Sequence, residues 1–476
     1  MNQEQRNALR VAVQGWRRLL QEDIEGQLSA VYGITRPEGT AAPAKGKGRK
    51  AAAQDGGDPQ ALLLVRDLSD VPRVQRSRRL QARREMMLAA IRDLATRREV
   101  SAGKSRPDGA AGEGWPPLRV LDLEGYVRAC AFTLLNRLVG IRLLEVRGHY
   151  KQAFLNGQDE PPAVRLFAAV TGKVLTDTDP YEVFTSMILQ DVTRFAPGLG
   201  DASGRFDLLF PGRETVLAIS RSMAALDPAI WQSDETLGWV AQYFTPEELR
   251  KKVRKESPTP RSSDELAFRN QFFTPNYVVR FLVQNTLGRS WLEMYPETTL
   301  AEGWEYLVRD ELQPRPLKDP RDFKVIDPAC GSGHFLLYAF DVLYEIYFEV
   351  YHHDTLGEAL RSEYPDQAEF ARKVPELIVE RNLYGVDIDL RVAQITQVAL
   401  ELKAASYHPQ ARPQTAHIVH AQQLPGDKER FQQFVLDELA DIDPEERRSV
   451  ISDRSSARLP AGHFCRYHAV HGHWGD

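Results

Sequence analysis

Phe323-Lys-Val-Ile-Asp-Pro-Ala-Cys-Gly-Ser-Gly-His-Phe-Leu336 opens as a short apolar run, closes it with Asp327, and turns sharply through Gly333. An amphipathic segment then runs from His334 to about Tyr351. Strand, glycine turn and helix in that order are the first unit of an open α/β sheet. Gly331 and Gly333 allow positive φ or close approach of the backbone to a ligand. Asp327 falls at the carboxyl edge of the strand, where such sheets bind ligands. The pattern is not G-x-G-x-x-G and has no Lys-Ser/Thr behind it, so it is neither a dinucleotide fingerprint nor a phosphate-binding loop. An acid at this point suits a ligand carrying an ammonium group. The glycine spacing alone equally fits a tight turn with no ligand.

Downstream, Leu383-Tyr-Gly-Val-Asp-Ile-Asp389 reads as a second strand ending in acid. A carboxylate there can accept hydrogen bonds from both hydroxyls of a ribose, and Asp387 is the better placed; Asp389 can instead cap the helix expected over Arg391–Ala404. His417-Ile-Val-His-Ala-Gln-Gln-Leu424 reads as a third strand and its exit loop. Upstream, Phe268-Arg-Asn-Gln-Phe-Phe-Thr-Pro-Asn-Tyr-Val-Val-Arg-Phe-Leu-Val283 places Thr274 as N-cap and Pro275 as the first helical residue of a helix with an apolar side.

Asp327-Pro-Ala-Cys-Gly-Ser-Gly-His-Phe-Leu336 resembles the S-adenosylmethionine-binding motif of amino-group (N6-adenine) DNA methyltransferases. With the Phe-Thr-Pro segment before it and Asp387 after it, the chain resembles the large methyltransferases of anti-phage systems, the PglX type of BREX and the related DISARM methylase. Asp234-Glu-Thr-Leu-Gly-Trp-Val-Ala-Gln-Tyr-Phe244 resembles a signature of the PglX N-terminal region. The resemblance implies S-adenosyl-L-methionine as cofactor, held by Phe273, Thr274, Pro275, Asp327, Ala329, Cys330, Gly331, Gly333, Asp387, Ile388 and Gln422. Phe273 would pack near the cofactor, Thr274 and Pro275 would position its methionine end, Asp387 would bind ribose and Ile388 would lie near adenine. Family members usually carry Asp at the Gln422 position; Gln keeps an acceptor oxygen and loses the charge. A one-residue shift would put Gln423 there. The implied activity is site-specific adenine-N6 methylation of double-stranded DNA in a phage-defence or restriction-modification system.

The fold expected is α/β: an α-rich N-terminal region followed by an incomplete Rossmann-like S-adenosylmethionine-dependent methyltransferase domain. The boundaries expected are 1–255 for the helical region, with 33–60 flexible, 262–440 for the cofactor half and 441–476 for an irregular tail. Helices are expected over Arg10–Tyr32, Leu121–Leu144 and, from the capping box Thr245-Pro-Glu-Glu248, over Pro246–Arg254. Arg73-Val-Gln-Arg-Ser-Arg-Arg-Leu-Gln-Ala-Arg-Arg84 is the strongest basic run. It fits phosphate contact, a solvated helix face or a partner surface.

Adenine methylation also needs a flipped base and acceptors for its amino group. Related enzymes supply these with Asn/Asp-Pro-Pro-Tyr/Phe, and this tetrapeptide is absent from the sequence. No catalytic residue is therefore assigned. The chain is expected to be the N-terminal part of a larger methyltransferase, completed by a second polypeptide and working with other defence-system proteins. The other reading is a noncatalytic scaffold that binds S-adenosylmethionine or a partner. A dehydrogenase is disfavoured by the loop pattern. Cys130, Cys330 and Cys465 make neither a disulfide framework nor a zinc spacing, and the His-rich tail is too irregular to assign a metal. There is no apolar signal core at Met1 and no run long enough to span a bilayer, so a cytoplasmic chain is expected. The net charge of -5 shows no bulk attraction to nucleic acid and leaves the question to local patches.

Overall fold

The computed structural model describes residues 1–37, 58–101, 116–171, 179–200, 204–246, 274–414 and 416–421, with isolated positions between 250 and 269. The expectations for Phe273, Gln422, Gln423 and the tail 441–476 lie outside the described residues, as does most of the helix expected over Pro246–Arg254. The chain divides into two compact units, Met1–Ser262 with Glu401–Pro409 and Ser263–Leu400 with Gln410–Asp476. Among the described residues no helix is long and apolar enough to cross a membrane.

Among its described residues, the first unit is helical, with one small antiparallel sheet. Helix α1 (Gln3–Ala30) begins seven residues before the apolar periodicity does, because Asn2 and Gln5 form a reciprocal capping box at its start. Its inner stripe is Leu9, Val13, Trp16, Leu20, Ile24 and Leu28, all essentially fully buried. Each such side chain stabilises the fold by about 1.5–3 kcal/mol relative to exposure. β1 (Ile34–Thr35) pairs antiparallel with β2 (Leu64–Val65), and most of the segment expected to be flexible lies outside the described residues. Short α2 (Pro72–Gln75) and long α3 (Arg78–Ser101) follow. Helix α4 (Val120–Val146) is buried around most of its circumference and is the central helix of the unit. Its Arg137 donates to the Leu199 carbonyl at 2.9 Å and pairs with Asp207 at 2.9 Å, which satisfies a cation that is 2% exposed. Around it lie α5 (Pro162–Thr171), α6 (Pro180–Phe195), α7 (Arg213–Ala224), α8 (Pro228–Gln232) and α9 (Thr236–Phe244).

The segment Asp234–Phe244 has a structural role in this unit. Asp234 pairs with Arg147 at 3.6 Å and Lys403 at 2.6 Å, and Glu235 accepts from Trp239 Nε1 at 3.1 Å. Leu237, Val240, Ala241 and Phe244 are buried.

Among the described residues, the second unit holds three parallel strands joined by helices. Helices α10 (Asn276–Val283) and α11 (Arg289–Met294) precede β3 (Val325–Asp327). Then come α12 (His334–His352), α13 (Glu358–Glu363), α14 (Gln367–Leu377), β4 (Leu383–Asp387), α15 (Leu390–Tyr407), whose last residues from Glu401 belong to the first unit, and β5 (His417–His420). The order in the sheet is β3-β4-β5, both pairs parallel, with Asp327 opposite Gly385 and Asp387 opposite His420. Parallel neighbours need crossovers, and the intervening helices supply them. The described residues thus form a mostly helical fold with small β-sheets, consistent at this coarse level with an incomplete α/β fold.

Alternation along the strands separates two faces. Leu383, Gly385 and Ile418 are on the buried one, and a Cβ built on Gly385 would sit 3.0 Å from Leu336 of α12. Ile326, Tyr384 and His417 are in register on the other. There Ile326 is 65% exposed, and the Tyr384 and His417 rings stack at 4.5 Å and 10°.

Candidate functional site

The site is built on the carboxyl ends of β3 and β4. Each strand ends in the acid singled out from sequence, and the loop Pro328–Gly333 bridges them. Asp327 Oδ1 accepts the Ala329 N–H at 3.1 Å, which starts the turn. The Cys330 N–H then donates to the Val386 carbonyl at 2.9 Å, so the loop lies against the end of β4. Asp387 clasps it: one oxygen accepts the Gly331 N–H at 2.9 Å and the other the Asp389 N–H at 2.8 Å. Gly333 closes the turn by donating to the Cys330 carbonyl at 2.8 Å and leads into α12. Gly331 has φ 54° and Gly333 φ 84°, the left-handed region open to glycine. At Gly333 there is a second reason, since a Cβ would lie 2.8 Å from Thr396 Cγ2.

The electrostatics of the two acids are alike. Burial pushes the Asp327 carboxyl above its usual value, the Ala329 N–H opposes this, and repulsion from Asp387 adds to it. Burial also raises Asp387 against the pull of its backbone donors. Asp327 Oδ2 is buried and has no hydrogen-bond partner among the described residues. Such an atom costs about 1–3 kcal/mol when left unmet. An ammonium donor would satisfy it. Each Asp387 oxygen has taken one backbone N–H and keeps a lone pair for a further donor. The residues present thus fit a ligand with a cationic amine at one end and vicinal hydroxyls at the other.

The remaining expectations are placed as follows. Ala329 is exposed, and Ile388, immediately beyond Asp387, is 38% exposed. The Cys330 side chain is buried, and burial together with repulsion from Asp387 and Asp327 pushes its thiol strongly up. It is therefore a packing group against the sheet and not a thiolate nucleophile. Asp389 caps α15: its carboxylate accepts the Arg391 N–H at 3.0 Å and pairs with the Arg391 guanidinium at 3.2 Å. Burial alone would raise its carboxyl, but the Arg391 charge and donors outweigh burial and hold it below the usual range.

Thr274 requires a correction. It is not an N-cap and Pro275 is not the first helical residue; α10 starts at Asn276 with Pro275 as its cap residue and no side-chain cap bond. Thr274 serves through its backbone carbonyl, which accepts from His334 Nδ1 at 3.0 Å. That bond brings the Thr274-Pro275 segment to the start of α12, next to the glycine loop.

Two residues of the site were not singled out from sequence. His334 ties the upstream segment to the loop. Thr396 lies in the apolar stripe of α15, fully buried, and donates to the Gly331 carbonyl at 2.6 Å. The available signal was a hydroxyl residue between Ile395 and Val398, inside an otherwise apolar face.

Residues 316–434 match the family described as MmeI, DNA-methyltransferase domain. The chain is also 29% identical over 315 residues to the adenine-specific methyltransferase BrxX of Escherichia coli O9:H4 (strain HS), covering 59% of this chain and 24% of that protein. It is 34% identical over 185 residues to the adenine-specific methyltransferase PglX of Lacticaseibacillus casei (strain Zhang), covering 36% of this chain and 14% of that one. Over these stretches the chain is similar to the adenine-specific methyltransferases BrxX and PglX, and it spans about a quarter or less of the length of these relatives.

Proposed function

We propose that the Asp327–Gly333 loop with Asp387 holds S-adenosyl-L-methionine, and that the chain is the cofactor-binding part of a site-specific adenine-N6 DNA methyltransferase of a phage-defence system. The unmet, buried Asp327 Oδ2 at the mouth of a glycine loop carries this reading. When bound, the cofactor supplies an electrophilic methyl group on a sulfonium centre. In this reading Asp327 meets the ammonium of its methionine end and Asp387 its ribose hydroxyls. Gly331 and Gly333 let the backbone approach, Thr274-Pro275 borders the methionine end, and Ile388 offers an apolar surface to adenine. Phe273 and Gln422 complete the proposed set by resemblance. Similarity to a DNA-methyltransferase domain and to adenine-specific methyltransferases supports a DNA substrate; double-stranded DNA, a cytoplasmic setting and other defence-system proteins as partners belong to the same proposal. The proposed organisation is a helical region 1–255, a Rossmann-like cofactor half 262–440 and a tail 441–476.

A second reading is a noncatalytic scaffold, favoured by the absence of Asn/Asp-Pro-Pro-Tyr/Phe from this sequence. Titration calorimetry tests the shared step. The chain is expected to bind S-adenosylmethionine one to one, and Asp327→Asn to weaken it by about 10–100-fold, the worth of a charged hydrogen bond of about 1.5–3 kcal/mol. No binding by the native chain would overturn the methyltransferase reading and the cofactor-binding form of the scaffold, and leave only a partner-binding scaffold. Methyl transfer to duplex DNA, with and without a polypeptide carrying the tetrapeptide, separates enzyme from scaffold. Transfer only with that polypeptide supports the methyltransferase reading, and none under either condition supports the scaffold.

A further inference from the structure

The basic run Arg73–Arg84 plays no part in the cofactor site, and the structure sorts its arginines into two kinds. Arg84 is internal: it is 5% exposed and donates to the Tyr32 carbonyl at 2.8 Å and the Arg66 carbonyl at 2.5 Å. Arg73, Arg76, Arg78 and Arg79 are exposed and Arg83 is half-buried. Among the described residues, none of these five makes an ion pair, and the acidic residues nearest in sequence, Asp70 and Glu85, make none with them. Further along the same helix the pattern reverses. Arg97 pairs with Asp93 at 3.0 Å, and Arg98 with Asp122 at 3.0 Å and Glu99 at 2.7 Å.

The unpaired group opposes the stability of its own helix. Arg79 and Arg83 are like charges at i,i+4, which destabilise an isolated helix. Arg78 and Arg79 stand in the first turn of α3, which has no acid, at the positive end of the helix dipole. A chain of net charge -5 has acids to spare, and they are not used here. An arrangement that costs stability without internal compensation points to an anion from outside.

All five groups are guanidinia, whose planar forks bind phosphate oxygens in pairs. No aromatic residue is interleaved in Arg73–Arg84. This disfavours single strands, whose bases need stacking platforms, and favours backbone contact with a duplex.

We propose that the exposed arginines of α2 and α3 form a sequence-independent phosphate-binding face for double-stranded DNA. The choice of DNA among polyanions rests on the proposed function; the phosphate chemistry of the face does not. The test uses the full chain and a labelled duplex, with binding followed by anisotropy across a salt series. The variant carries Arg73→Gln, Arg76→Gln, Arg79→Gln and Arg83→Gln. The control carries Arg18→Gln, Arg97→Gln and Arg194→Gln, at exposed arginines that all have acidic partners. The slope of log affinity against log salt is expected to fall by about 0.9 for each phosphate no longer neutralised, about 3–4 in the variant. The control is expected to keep the native slope, and all three proteins the same calorimetric response to S-adenosylmethionine. An unchanged slope in the variant, or no duplex binding by the native chain, overturns the proposal. Equal competition by polyglutamate overturns the assignment to DNA in favour of an acidic protein partner. A chain that loses the slope in the variant yet never binds S-adenosylmethionine upholds this face and overturns the proposed cofactor site.

Discussion

Asp327 combines two properties that pull in opposite directions. Its buried Oδ2 lacks a partner among the described residues, and its ionisation is opposed by burial and by Asp387. Since the folded carboxyl titrates above its unfolded value, stability is lost as pH rises from the unfolded value through the folded one. Asp327→Asn removes that penalty. The variant is expected to melt above the native chain at neutral pH, with the gap closing in acid where the native carboxyl is protonated, while cofactor affinity falls. Scanning calorimetry across pH checks this. A variant that melts lower at neutral pH would show that the carboxylate is held by a partner. Both acids were legible from sequence because a strand that ends in acid before glycine leaves few other readings. The burial of Cys330 was not, because a small residue in a glycine loop looks the same whether it faces ligand or sheet.

At the scale of elements, the loop is fixed from outside its own sequence. Thr396 of α15 reaches the Gly331 carbonyl across 65 residues of chain, and His334 reaches the Thr274 carbonyl across 60. Thr396→Val keeps the shape of the side chain and deletes the donor. It is expected to lower stability by about 0.5–1.5 kcal/mol and to weaken S-adenosylmethionine binding as well, read by urea unfolding and calorimetry. If affinity holds while stability falls, the bond supports the helix and not the loop. Strands, glycine turn and helices were visible as local patterns of apolar spacing and punctuation. These two bonds were not, because periodicity reports which face is inward and says nothing of which distant carbonyl that face meets. The Thr274 cap differed from expectation: the local Thr-Pro-Asn pattern permits a cap, whereas the helix starts at Asn276 and the Thr274 carbonyl meets the distant His334.

On the scale of the whole molecule, the described chain is two compact units and the proposed ligand belongs to one of them. A ligand that binds only the folded site stabilises it by about 2.7 kcal/mol at one hundred times its dissociation constant. Hydrogen exchange with S-adenosylmethionine is therefore expected to slow the amides of Cys330, Gly331 and Asp389, which already donate within the site. Uniform slowing across α1 and α4 instead would point to a ligand site in the first unit. The parallel strands were legible because short apolar runs separated by helical stretches differ in pattern from uninterrupted amphipathic segments. The tie between β1 and β2 was hidden, since two-residue strands leave too short an alternation to detect.

Gly385 has positive consequences for a residue with no side chain. A methyl group there would meet Ile418 at 2.8 Å, Leu336 at 3.0 Å and the Cys330 sulfur at 3.1 Å. One atom on the middle strand would thus press at once on the neighbouring strand, the covering helix and the loop. The depth at which the loop rests on the sheet is in this sense specified by a blank, a single position at which any added carbon would lift the floor of the site from beneath.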